Sequence, residues 1–85
     1  MTQEEFYDLY NKISDVLYGF KDYHYWLYCC NERYYETSLT FEVHIHSDRG
    51  EGFDWVEDWS IDDRGRIHSE DTVYENYEEF LRDWV

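Results

Sequence analysis

Leu39-Thr40-Phe41-Glu42-Val43-His44-Ile45-His46 alternates apolar and polar residues without a break. Successive side chains of a strand point to opposite faces. The octet therefore predicts a strand with Leu39, Phe41, Val43 and Ile45 inside and Thr40, Glu42, His44 and His46 outside. Such a strand needs partners along its edges and a layer over its apolar face. Upstream, Tyr23 to Cys30 reads as a strand with Tyr23, Tyr25, Leu27 and Cys29 on one side and His24, Trp26, Tyr28 and Cys30 on the other. Asn31, Glu32 and Arg33 read as the turn that follows. Downstream, Ser47 to Gly52 is a polar loop, and Phe53 to Ile61 resumes strand character, although Glu57 and Asp58 leave its inward face ambiguous. Asp62-Asp63-Arg64-Gly65 has the composition of a hairpin turn leading into a short strand over Arg66 to Ser69.

The covering layer is written at the two ends of the chain. Thr2 with Glu5 forms a capping-box pattern, and Phe6, Leu9, Ile13, Val16, Leu17 and Phe20 follow at three- and four-residue steps, with Gly19 as the expected C-terminal cap. Thr72 with Glu75 repeats the capping pattern, ahead of an apolar stripe of Val73, Tyr77, Phe80, Leu81 and Trp84. The expected architecture is α+β, a single domain over residues 1–85 in two layers. It comprises an N-terminal helix, an antiparallel sheet of about four strands and a C-terminal helix. Short connections favour a meander with both helices on one face, which leaves the other face open to water or a partner.

Composition narrows the function. The 85 residues carry 21 Asp and Glu against 7 Lys and Arg, a formal charge of -14, and they include 10 Tyr, 4 Trp and 5 Phe. Acid alone describes a disordered tail, whereas acid with abundant aromatics describes a folded domain with a charged skin. Such a skin repels nucleic acid and membrane surfaces and attracts basic proteins. The charge far exceeds the ~2–8 that keeps a small domain soluble. Its self-repulsion costs stability, so a basic partner is the expected reason for it. No run of ~18 apolar residues and no basic-then-apolar leader is present, and the two cysteines are neighbours, Cys29 and Cys30. These features predict a reduced protein of the cytoplasm.

Enzymatic readings find little support. Cys29 and Cys30 sit among acids and apolar groups, which raise a thiol pKa. No Gly-x-Ser-x-Gly elbow, Gly-rich phosphate loop or basic aromatic patch is present. The chain is therefore expected to have no catalytic residues and no direct nucleic-acid contact. His44-Ile45-His46-Ser47-Asp48 resembles the H-x-H-x-D-H motif of the metallo-β-lactamase fold, but Arg49 stands where the final His belongs. That family's remaining ligands also need a far larger chain. The two histidines are read instead as a pair on a polar strand face. A mononuclear zinc or nickel site on His44 and His46, completed by His24 or His68 and serving a small metal-dependent enzyme, is the alternative, and no metal or cofactor is expected.

The binding features are stronger. Thirteen of the acids fall in residues 47–85, and Glu51, Asp54, Glu57, Asp58, Asp62 and Asp63 lie along one hairpin. Carboxylates spaced along paired strands approximate the charge pattern of a nucleic-acid backbone, one phosphate per ~1.7 Å of duplex axis. Tyr7, Tyr10, Tyr18, Tyr34, Tyr35 and Tyr74 exceed what the aliphatic stripes require, and Tyr and Trp are common binding anchors. The expected partner-binding set is Glu51, Asp54, Trp55, Glu57, Asp58, Asp62 and Asp63, with Tyr34 and Tyr35.

The length, the charge, the acidic hairpin and the missing catalytic motifs together resemble small acidic phage inhibitors, among them anti-CRISPR proteins and other DNA mimics. That resemblance implies blockade of a nuclease or CRISPR effector through its Lys/Arg-lined groove. It also implies the cytoplasm of a bacterial host cell; from the acidic charge no membrane partner is expected, and the chain is expected to be a monomer or homodimer. The opening Glu5-Phe6-Tyr7-Asp8-Leu9-Tyr10-Asn11-Lys12-Ile13 and the Trp26 to Tyr28 strand are similar to bacterial toxin-immunity proteins, which implies a single cognate toxin instead.

Overall fold

The structure is a computed structural model that describes residues 1–20, 25–47 and 54–84. Tyr23, His24, Asp48, Arg49, Glu51, Gly52 and Phe53, all named above, lie outside the described residues. The chain runs α1 (Gln3–Gly19), β1 (Tyr25–Tyr35), β2 (Ser38–Ser47), β3 (Trp55–Asp62), β4 (Ile67–His68), β5 (Val73–Tyr74) and α2 (Tyr77–Trp84). The strands form one antiparallel meander in the order β1-β2-β3-β4-β5. Among the described residues no helix is long and apolar enough to cross a membrane.

α1 begins as the capping pattern requires. The Thr2 hydroxyl accepts from the Glu5 N–H at 3.1 Å, and the Glu5 carboxylate accepts from the Thr2 N–H at 3.0 Å. The helix buries Phe6, Tyr10, Ile13 and Leu17. Gly19 is its last residue, not a left-handed cap, and the chain leaves through Phe20 in extended backbone.

β2 follows its alternation throughout, with Leu39, Phe41, Val43 and Ile45 buried. Its register with β3 places Phe41 opposite Trp59 and Leu39 opposite Ile61, so all four point toward the helices. Tyr10 of α1 packs edge-on against Phe41, and Phe80 of α2 packs edge-on against Trp59. Both helices therefore cover the same sheet face, and Lys12 over the Tyr77 ring at 5.7 Å links them. This is the expected two-layer α+β domain, with a small fifth strand.

Two further boundaries differ from expectation. Asn31, Glu32 and Arg33 are not a turn. β1 runs through them to Tyr35, with Cys30 opposite Glu42 but Arg33 opposite Thr40. Two residues thus face Phe41 alone, a β-bulge, and Asn31 supplies its left-handed conformation (φ 56°). The turn comes at Glu36 and Thr37 instead. The second helix starts at Tyr77, not after Thr72, because Asn76 caps it through a 2.9 Å bond from the Glu79 N–H to Asn76 Oδ1. Ser69 and Thr72 close a tight turn upstream, where the Thr72 N–H donates to Ser69 Oγ. Val73 then pairs with His68 and lies exposed, outside any helical stripe.

The Asp62–Gly65 turn forms as read. The Gly65 N–H donates to the Asp62 carbonyl at 3.0 Å, and Gly65 adopts φ 79°, which a side chain would strain.

Candidate functional site

Register determines what each acid of the β3 region can reach. Residues opposite the outward members of β2 share its uncovered face: Trp26 lies opposite His46, Tyr28 opposite His44 and Cys30 opposite Glu42. On the other side, Val56 lies opposite His44, Asp58 opposite Glu42 and Ser60 opposite Thr40. Glu57 and Trp55 pair with Val43 and Ile45, so they belong to the helix-covered face.

The open face carries an aromatic ladder. Trp26 stacks on His46 at 5.2 Å, and Tyr28 stacks on His44 at 5.0 Å and on His46 at 5.3 Å. Trp26 is 47% exposed, Tyr28 37% and Val56 46%, a continuous aromatic and aliphatic surface that no element among the described residues covers. Acids flank it. Asp54 meets His46 Nδ1 at 3.2 Å, Glu42 accepts from His44 Nε2 at 2.8 Å, and Asp58 is exposed. The hydrogen bonds from His44 and then Asn31 hold the Glu42 carboxyl below the usual carboxylate range. Beside the ladder lies a groove of about 570 Å³ bordered by Asn31, Arg33, Thr40, Glu42, Asp58 and Ser60.

The expected binding residues do not form one surface. Asp54, Asp58 and the half-exposed Tyr35 belong to the open face. Glu57 faces the other way and accepts from the indoles of Trp59 (2.9 Å) and Trp55 (3.2 Å). Trp55 packs edge-on to Tyr25 on that side. Tyr34 packs against Phe6 and Tyr7 under α1. Asp62 is a structural carboxylate that accepts from the backbone N–H groups of Arg64 and Arg66, from Arg66 Nε and from His68 Nε2. Burial pushes its carboxyl upward, but the bonds from His68 and Arg66 outweigh burial and hold it well below the ordinary range. Asp63 is exposed at the turn.

Several of the surplus tyrosines prove to be core. Tyr10 is buried and donates to Glu32, while Tyr74 is buried and donates to Asp83. A phenol can fill apolar volume when its hydroxyl reaches a partner at the rim. Tyr18 and Tyr35 remain outside. Trp26, Tyr28 and Glu42 were missed as site residues, although the two-residue period already placed them with the outward histidines.

The cysteines separate by face. Burial pushes the Cys29 thiol up to about 12, and burial followed by the Glu42 charge raises Cys30, so neither is an activated nucleophile. His44 and His46 share the open face as read, whereas His68 is bound to Asp62. Comparison with protein-family models, curated proteins and solved structures returned no match to this chain.

Proposed function

We propose that this chain is an acidic protein inhibitor that sets the open face of its sheet into the basic groove in which a nuclease or CRISPR effector holds nucleic acid. The observation that carries this reading is the uncovered ladder of Trp26, Tyr28, His44 and His46 with Asp54, Glu42 and Asp58 around it. Aromatic faces attract Arg and Lys by cation–π contact, and neighbouring carboxylates pair with the same cations. Most carboxylates among the described residues are exposed and none is buried. The ion pairs found there are those of Asp62 with Arg66 and His68, Glu42 with His44, and Asp54 with His46. The -14 charge is what remains after every Lys and Arg is counted, and it acts at long range to steer a basic partner.

Inhibition of DNA cleavage by a panel of nucleases and RNA-guided effectors tests the reading. The native chain is expected to inhibit at least one of them, with association that slows steeply as salt rises. Asp54→Lys/Asp58→Lys is expected to abolish that inhibition while leaving the circular dichroism spectrum intact. A folded double variant that inhibits as well as native removes the open face from the interface. Failure of the native chain against the whole panel, with tight binding to a single toxin, replaces the groove reading by an immunity function.

A further inference from the structure

We propose that Cys30, Glu42 and His44 form a three-ligand site for a zinc-class divalent ion on the open sheet face. Among the described residues, one ligand atom from each, the Cys30 sulfur, a Glu42 carboxylate oxygen and a His44 ring nitrogen, lie within 4.8 Å of one another. The fold brings them together without any special loop. Cys30 is the direct cross-strand partner of Glu42, and His44 is the next residue of β2 on the same face.

The surroundings are those that a metal ligand needs. The Tyr28 ring lies nearly parallel to His44, 15° between planes, and holds the imidazole with its Nε2 toward Glu42. Asn31 Nδ2 donates to Glu42 at 2.7 Å from the bulge and orients the carboxylate from outside the ligand set. The left-handed backbone of Asn31 directly follows Cys30, and bulges of this kind re-aim neighbouring side chains.

The donor set selects the ion. Magnesium and calcium take oxygen ligands, whereas a thiolate with an imidazole and one carboxylate suits zinc or cobalt. Zinc bonds of about 2.0–2.3 Å hold tetrahedral ligand atoms farther apart than a hydrogen bond does, so His44 Nε2 and Glu42 Oε1, now 2.8 Å apart, must separate slightly around the ion, which side-chain rotation on an open face permits. The ion would take the place of the hydrogen between His44 Nε2 and Glu42, which moves to His44 Nδ1 or to solvent, and would displace the Cys30 thiol proton into solvent. Three protein ligands leave a fourth position open for water or a donor from outside, as in catalytic zinc sites. The groove bordered by Asn31 and Glu42 gives access to it. His46 is not part of the set, since its ring is committed to Tyr28, Trp26 and Asp54. The site shares Glu42 and His44 with the face assigned the inhibitory role above, but it rests on metal-ligand chemistry and is tested with the metal alone.

Cobalt titration of the untagged, reduced, metal-free chain is the test, followed by displacement with zinc. The expected result is one equivalent of cobalt per chain, with tetrahedral visible bands and a thiolate-to-cobalt charge-transfer band, both lost on adding zinc. Cys30→Ser is expected to remove the charge-transfer band. His44→Ala and Glu42→Gln are each expected to weaken zinc binding by more than the roughly 10–100-fold typical of outer-shell substitutions. His46→Ala is expected to bind as native does. A native spectrum without the thiolate band overturns the proposal without recourse to any variant. So does zinc binding by Cys30→Ser at native affinity, or a loss in His46→Ala equal to that in His44→Ala, which would place the ion between the two histidines.

Discussion

Asp62 stands in a run of acids, yet it differs from its neighbours in what surrounds it. Two backbone N–H groups, a guanidinium and an imidazole converge on its carboxylate at 2.7–3.0 Å. Protonation would forfeit those bonds, so the carboxyl titrates below its unfolded value of ~3.9. The stabilisation is complete above the unfolded pKa and is lost as pH falls toward the folded one. Asp62→Asn is therefore expected to cost about 1–3 kcal/mol near neutrality. The gap should narrow below about pH 4, where the native chain loses the same contribution. Thermal melts of both proteins across that range check this, and a gap that stays constant with pH would show that the charge contributes nothing. From the sequence, Asp62 was indistinguishable from Asp63. Only the return of the chain at Arg66 and His68 makes one structural and leaves the other exposed.

The β1 bulge decides which aromatic rings are core. Before it, Leu27 and Cys29 face the helices; after it, Tyr34 does so, opposite Leu39. An unbroken alternation would have sent Tyr35 inward and Tyr34 out. The sequence offers aromatics at both parities there, so periodicity had nothing to choose by, and Asn31 looked like an ordinary turn residue. Its φ of 56° carries a direct test. Asn31→Val is expected to lose about 1–2 kcal/mol in urea unfolding, because a β-branched residue strains left-handed backbone. Asn31→Gly should stay near native. Equal losses in the two variants would mean that the bulge does not depend on backbone conformation. The same logic explains the second helix, for which the sequence pointed to Thr72 whereas Asn76 caps it in the fold. Pairing of Val73 with His68 put Thr72 in the tight turn that joins those two strands. α1 and β2 were legible in advance because each carries one period over its full length.

At the scale of the whole molecule, charge dominates. Fourteen net negative charges on an 85-residue body repel one another across distances that salt screens. Raising sodium chloride from about 0.1 M to 1 M shortens the Debye length from ~10 Å to ~3 Å. The melting temperature is expected to rise, a relief of about 1 kcal/mol corresponding to roughly 4–8 °C for a domain of this size. A melting temperature that does not rise would mean that the charges are already compensated in the folded chain. Composition and periodicity determined the charge, the two-layer class and the buried face of β2, because these depend on residue type and on local repeat alone. Which acids share a surface was a different matter. Asp54 and Asp58 share the open face with Trp26 and Tyr28 across β2, while Glu57 turns under the helices to Trp55 and Trp59. Neighbours in the chain point to opposite faces, and neighbours in space come from other strands. The acidic hairpin of the sequence was thus divided by cross-strand register, and register is set by the packing of all the strands together.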